Sequence, residues 1–291
     1  MDRIGGDTLK RLKNNCFQNY HGSKGKFYDK IKTILPKETE VKVLDLFAGG
    51  SSLSAMLSDT WEITCNDICW DVGKMQGQFL SDYKGSVQNA EKWVKELASE
   101  SLVKSKDDLE GYLEAKKCYN QLKDSTRWER SYIFFDLVCS SFSNYIRFND
   151  KGEWNLNFGK RYFNPSMQKK LVHWLENMEN KNVTFECNDW KDLQLSDYDF
   201  VIIDPPYLKT CAQYNSSWNE QETITLLERV DKFVEEGGKF ILFEEVLSKG
   251  VSNTVITDWM KKYKHVTLGD ESSGCNYQRK EGITLEVCIY N

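Results

Sequence analysis

Proline is scarce in this chain, with four in 291 residues, and two of the four are adjacent in DFVIIDPPYLKT (199–210). Histidine is scarcer still: His21, His173 and His265 are the whole supply. The nine cysteines are an odd number without framework spacing, and CNDIC (65–69) lacks the spacing of a zinc site. Reduced thiols and no bound metal are therefore expected. No apolar run approaches the roughly 20 residues of a membrane helix, and no apolar leader opens the chain, so cytoplasmic work away from membranes is expected. Neither GxGxxG nor GKS/T occurs, which argues against a dinucleotide fingerprint or a P-loop. A net charge of −5 disfavours a general polyanion binder without excluding one, because the positions of Lys and Arg decide that.

What is present is an alternation of strand-like and helix-like stretches, the signature of α/β architecture. VKVLDLF (41–47) reads as a buried strand ending in the glycine turn AGG, and SSLSAML (51–57) as a helix capped by Ser51 or Ser52. WEITCND (61–67), DFVIID (199–204) and KFILFEE (239–245) read as further strands. EQETITLLERVDKFVEE (220–236) and NTVITDWMKKY (253–263) read as helices, and HVTLGD with ITLEVCIYN as a closing hairpin. Between about 72 and 182 the pattern changes: 86–125 is charge-rich and helix-like, while 140–165 is aromatic and basic with glycine turns. This stretch is expected to be a lobe inserted into the α/β domain.

Two strand ends carry the chemistry. Glycines at the strand-to-helix turn of DLFAGG (45–50) let a ligand approach the backbone. Asp67, closing the second strand, stands where such folds set a carboxylate against ribose hydroxyls. Asp204 should lie at the carboxyl edge of the sheet, with the stiff Pro205–Pro206 unit and Tyr207 behind it. An exocyclic aromatic amine is a poor nucleophile because its lone pair is delocalised into the ring. Two acceptors on its hydrogens, Asp204 Oδ and the Pro205 carbonyl, would free that lone pair. Tyr207 can stack on the base, a contact worth roughly 1–3 kcal/mol. A sulfonium methyl donor then reacts in line, with catalysis by positioning and electrostatics.

DPPY after DLFAGG with a lobe between them resembles the S-adenosylmethionine-dependent amino-methyltransferases. The motif order resembles the alpha class of adenine-N6 DNA methyltransferases, in particular the Dam family as found in T-even-type phages. YIRFNDKGEWNLNFGKR (145–161) and DPPYLKTCAQYNSSW (204–218) carry that likeness, which runs from about residue 17 to the C-terminus. One departure is Asn157 before Phe158–Gly159, where relatives usually have Pro.

The resemblance implies a Rossmann-like α/β fold whose catalytic domain spans 17–71 and 183–291. It also implies a mostly helical target-recognition lobe at 72–182 carrying a β-hairpin, and an N-terminal extension at 1–16. It implies a cofactor site of Tyr20, Lys24, Asp45, Phe47, Gly49, Asp67, Asp189, Trp190 and Asp204, with S-adenosylhomocysteine as product. Double-stranded DNA, bound by a monomer or weak dimer, would meet Phe142, Ser143, Arg147, Asn149, Lys151, Lys160 and Arg161. Lys24, Lys26, Lys169 and Lys170 add cationic charge for phosphates. A buried amine is out of reach, so the adenine must be flipped, and the implied target is GATC. Cytosine-N4 methylation and a catalytically inactive DNA-binding relative stay open as alternatives.

Overall fold

The computed structural model describes residues 23–85, 89–122, 128–208, 218–248, 250–269 and 284–291. A 3₁₀ turn, Lys24–Phe27, runs into the single helical turn α1, Tyr28–Ile31. The strands are β1 (Lys42–Asp45), β2 (Glu62–Asn66), β3 (Asn182–Glu186), β4 (Phe200–Ile203), β5 (Lys239–Ser248), β6 (Val251–Ser252), β7 (Lys264–Gly269) and β8 (Leu285–Tyr290). They form one sheet of order β3-β2-β1-β4-β5-β8-β7, with β6 paired to β5. β3, β2, β1, β4 and β5 are parallel neighbours, while β8 runs antiparallel between β5 and β7. All four residues of β4 are buried, as expected of a central strand covered on both faces.

Between β2 and β3 lie α2 (Trp70–Gly85), α3 (Ala90–Glu100), α4 (Leu109–Gln121), α5 (Trp128–Ser140) and α6 (Pro165–Met178). They share one buried aromatic cluster that includes Phe79, Tyr112, Tyr119, Phe134, Trp154 and Trp174. α7 (Glu220–Glu235) and α8 (Thr254–Trp259) follow β4 and β5. Thr223, Leu226, Leu227, Val230 and Phe233 form the buried stripe of α7, at the i, i+3, i+4 spacing of an amphipathic helix. α3, α4, α6, α7 and α8 each start on an Asn or Asp whose side chain accepts a backbone N–H of the first turn. Each such cap contributes about 1 kcal/mol. Gly237, at φ +94°, ends α7 because a left-handed residue there costs glycine nothing.

Two expectations need correction. The helix expected over 51–57 is only a 3₁₀ turn, Ser54–Met56, without a side-chain cap. Ser51 sits at φ +48° and its hydroxyl bonds Gln76, while the Ser54 hydroxyl bonds Asp45. These serines hold the turn instead of starting a helix. The hairpin expected near Arg147 is reduced to two isolated antiparallel bridges, Ser141 with Phe158 and Phe148 with Trp154. β3, which the sequence reading did not single out, pairs in parallel with β2, and its Val183 and Phe185 are half-buried.

Candidate active site

Because β1, β2 and β4 are parallel, their carboxyl ends bring Asp45, Asp67 and Asp204 to one edge of the sheet, the ligand side of open α/β folds. Asp45 is buried and accepts the Ser54 hydroxyl at 2.5 Å. Burial pushes its pKa up to about 7; the Ser54 bond opposes that rise, and the nearby Asp204 and Asp67 charges add to it. Asp67 holds the glycine turn: Gly49 N donates to Oδ2 at 3.0 Å and Cys69 N to Oδ1 at 2.8 Å. Burial raises the Asp67 pKa and those two N–H groups oppose the rise.

Gly49 occupies φ +49°, and its carbonyl accepts the Gln76 side-chain amide at 2.7 Å. Gln76 belongs to α2, so this helix ties down the turn through Gly49 and Ser51. Sequence reasoning missed Gln76, since a single amide on a helix carries no motif. Phe47 packs against Trp190 and Trp218 at ring separations of 6.2 and 5.6 Å. Trp218 also donates to Thr223 on α7, so it packs on the helix. Asp189 bonds the backbone of Lys191, and the neighbouring Asn188 is fixed to Asn66 at the end of β2. Ile68, next to Asp67, is 72% exposed.

Asp204 meets Lys24 rather than open solvent. Lys24 Nζ lies 2.9 Å from Asp204 Oδ1 and 3.3 Å from Glu286 Oε1 of β8. The Tyr207 hydroxyl bridges the same two oxygens, at 3.1 and 3.0 Å. Asp204 Oδ2 and the Pro205 carbonyl take no hydrogen bond among the described residues. Burial raises the Asp204 pKa, Lys24 and the Tyr207 hydroxyl lower it, and Glu286 raises it further. Burial opposes the Lys24 charge, yet Asp204 and Glu286 outweigh burial and hold its pKa above the usual lysine value. Lys24 is only 5% exposed, so it is not available as a phosphate contact, contrary to expectation. Glu244 of β5 is 1% exposed with Oε2 unpartnered, and burial holds its carboxyl well above the usual range. Glu286 and Glu244 were not foreseen; both lie in strands read for their apolar content.

The other candidates gather at the end of α5. Phe142 is 58% exposed on a turn where Ser143 and Asn144 both have positive φ. Gly159 packs so close to this turn that a Cβ would meet Ser141 O at 2.3 Å. Gly159 is therefore a packing requirement against the backbone of Ser141 and Phe142. Arg147 donates to Asn155 Oδ1 at 2.8 Å and to its carbonyl at 3.1 Å. Asn149 closes its own turn by accepting Lys151 N and Glu153 N. Arg161 is exposed and bonds Asn144, while Lys151, Lys160 and Lys169 are exposed and Lys170 half-buried. Tyr20, Tyr214, Asn215 and the 1–16 extension lie outside the described residues. The six cysteines within them are free thiols, and no helix among them is long and apolar enough to cross a membrane.

A mostly parallel α/β sheet with a glycine turn after β1 and Asp-Pro-Pro-Tyr after β4 defines the class of nucleotide-type transferase sites. More particularly, residues 20–273 match the family described as D12 class N6 adenine-specific DNA methyltransferase, and the chain belongs to it. It is 29% identical over 284 residues to the type II methyltransferase M.FokI of Planomicrobium okeanokoites, covering 94% of this chain and 42% of that protein. It is 29% identical to the modification methylase StsI of Streptococcus sanguinis, covering 83% of this chain and 37% of that one. The chain thus spans about two fifths of the length of these relatives. The DNA adenine methylase of Escherichia coli K12 is 26% identical, over 96% of both chains.

Proposed function

We propose that this chain transfers a methyl group from S-adenosylmethionine to N6 of an adenine flipped out of double-stranded DNA, by direct in-line displacement. The observation that carries the reading is that Asp204 Oδ2 and the Pro205 carbonyl, at the carboxyl end of β4, take no hydrogen bond among the described residues. The residues present fit the cofactor. A left-handed glycine turn, a carboxylate at the end of β2 and the exposed apolar Ile68 beside it suit an adenosine and its ribose hydroxyls. When bound, S-adenosylmethionine supplies an electrophilic sulfonium methyl.

The chain's own groups do the rest. Lys24 fixes Asp204 through Oδ1 and favours its charged form, leaving Oδ2 for one amine hydrogen. Pro205, whose ring fixes φ, presents its carbonyl for the other. Together they orient the amine and make its lone pair available. Tyr207, already held by its hydroxyl, offers its ring to the base. Since the acceptor must be ionised and its pKa is raised, the rate should fall as pH drops through the Asp204 pKa.

The reading assigns the run 72–182 to target recognition within a catalytic domain of 17–71 and 183–291, acting as a monomer or weak dimer in a bacterial or phage-infected cytoplasm. Its support is the exposed Phe142 beside Arg147 and the exposed Lys151, Lys160 and Arg161. GATC as the target, and kinship with the phage-type members, rest on the resemblance of 145–161 and 204–218. Incubating unmethylated duplexes with methyl-labelled S-adenosylmethionine and mapping the modified base tests this. Label on N6 of adenine in GATC is expected; label on cytosine, or none, contradicts the activity, and label on other adenines contradicts only the target.

A further inference from the structure

The atoms around Asp204 form a closed four-membered arrangement. Lys24 Nζ and Tyr207 Oη each bridge Asp204 Oδ1 and Glu286 Oε1, at distances of 2.9, 3.3, 3.1 and 3.0 Å. A hydroxyl carries one proton, so Tyr207 can donate to only one of the two carboxylates at a time. Both of its contacts are hydrogen bonds only when one carboxyl is itself protonated. Among the described residues one ammonium faces these two carboxylates, so the cluster has room for one further proton.

Methyl transfer produces that proton. The amine nitrogen forms the new N–C bond, the S–C bond breaks with its electrons going to sulfur, and the nitrogen must then shed a hydrogen. We propose that Glu286 is a positioning residue for this step: sharing Lys24 and the Tyr207 hydroxyl with Asp204, it holds the Lys24 charge while Asp204 takes the proton that leaves the amine. The proposal rests on the amine-methylation reading given above. The N–H bond breaks, an O–H bond forms on Asp204 Oδ2, and the Lys24 charge passes from a pair with Asp204 to a pair with Glu286. Without Glu286, protonating Asp204 would take from the buried Lys24 ammonium both of the carboxylates that it touches at 2.9 and 3.3 Å, which is unfavourable.

The groups facing Glu286 are Lys24 from the 3₁₀ turn, Asp204 and Tyr207 after β4, and Glu245, its ladder partner on β5. Glu244, also on β5, acts on Lys24, Asp204 and Tyr207. Cys288 lies two residues along β8 and feels the Glu286 charge. Because the Glu286 charge raises the proton affinity of Asp204, removing it should make Asp204 easier to ionise.

Two readouts test this in Glu286→Gln. The first is the pH profile of single-turnover methyl transfer. The second, free of cofactor and DNA, is an infrared titration of the carboxylic C=O band assigned to Asp204 by its loss in Asp204→Asn. Expected are a rising limb and an infrared midpoint both displaced by about one pH unit to lower pH. The plateau rate should fall about tenfold, with cofactor affinity within about threefold of wild type. Glu286→Asp withdraws the charge by one methylene and should displace both in the same direction by less, and it serves where the glutamine variant does not fold. A limb and midpoint that stay at their wild-type positions overturn the proposal. If wild-type protein methylates no adenine, the amine reading fails, while the infrared titration still decides whether Glu286 governs Asp204.

Discussion

Two buried ion clusters in this chain use the same kinds of groups to opposite effect. Among the helices between β2 and β3, Arg130 meets Asp71 through Nε at 2.6 Å and Nη2 at 2.9 Å. The Tyr119 hydroxyl closes the ring on both partners, at 2.6 Å to each. Arg130 Nη1 takes the carbonyl that ends α4, Leu122 O at 2.9 Å. Among the described residues the charge is balanced one to one. At the sheet edge, one lysine serves Asp204 and Glu286, with the buried Glu244 close by. Among the described residues the acids there outnumber the base, and Asp204 Oδ2 takes no hydrogen bond. The first cluster satisfies its members and fixes where helices sit; the second keeps an acceptor and a charge surplus in reserve, a strain that function requires and stability does not.

The largest effect should come from breaking the balanced cluster. Arg130→Ala strands a buried Asp71 and should cost about 3–5 kcal/mol in urea unfolding. Replacing both partners by apolar residues, as in Arg130→Met with Asp71→Leu, should recover most of that loss. If the single and double variants are equally unstable, the cluster is not a matched pair.

Removing the cation that pairs with Asp204 comes next. Lys24→Met should slow single-turnover transfer by about a hundredfold, on the scale of losing one preorganised electrostatic contact. It should also move the rising pH limb upward, since Lys24 lowers the Asp204 pKa. A limb that moves downward contradicts the geometry.

Glu244→Gln should have a smaller effect, on stability. The Glu244 pKa is raised on folding above its ordinary 4.5, so the folded state binds the proton more tightly. Its contribution is full below about pH 4.5 and is lost as pH rises toward the folded value. The glutamine variant should therefore gain in melting temperature over wild type at pH 8 more than at pH 5. An equal difference at both values would mean that Glu244 stays ionised in the fold. Smallest of all, Phe142→Ala should change stability by less than about 0.5 kcal/mol, because the ring is exposed; a larger loss would make it a core residue.

How much of this was legible in the sequence differs between the same two regions. Asp45, Asp67 and Asp204 could be read because each ends an apolar run, and parallel strands collect such ends at one edge. Lys24 was picked out by position, but its partner Glu286 was not, because no local pattern links a strand end to a residue 79 positions later than Tyr207. Gln76 and Glu244 were invisible for the same reason. Among the helices, the aromatic cluster and the polar groups it encloses were not read from the sequence, because the charge-rich run 86–125 hides which side chains face inward. Asn149 looked like a reader of bases, yet its short amide bonds its own backbone two and four residues on, a local competition that spacing cannot reveal. The serines after Gly50 misled likewise: the residue types of a helix cap also serve to tie a turn to Asp45 and Gln76.

The account stands on Asp204 as the group that makes the amine reactive. Its most direct test pairs single-turnover methyl transfer with equilibrium binding of S-adenosylmethionine in Asp204→Ala. Transfer should fall by about a thousandfold or more while cofactor affinity stays within about threefold. Transfer at a rate near wild type would contradict the account.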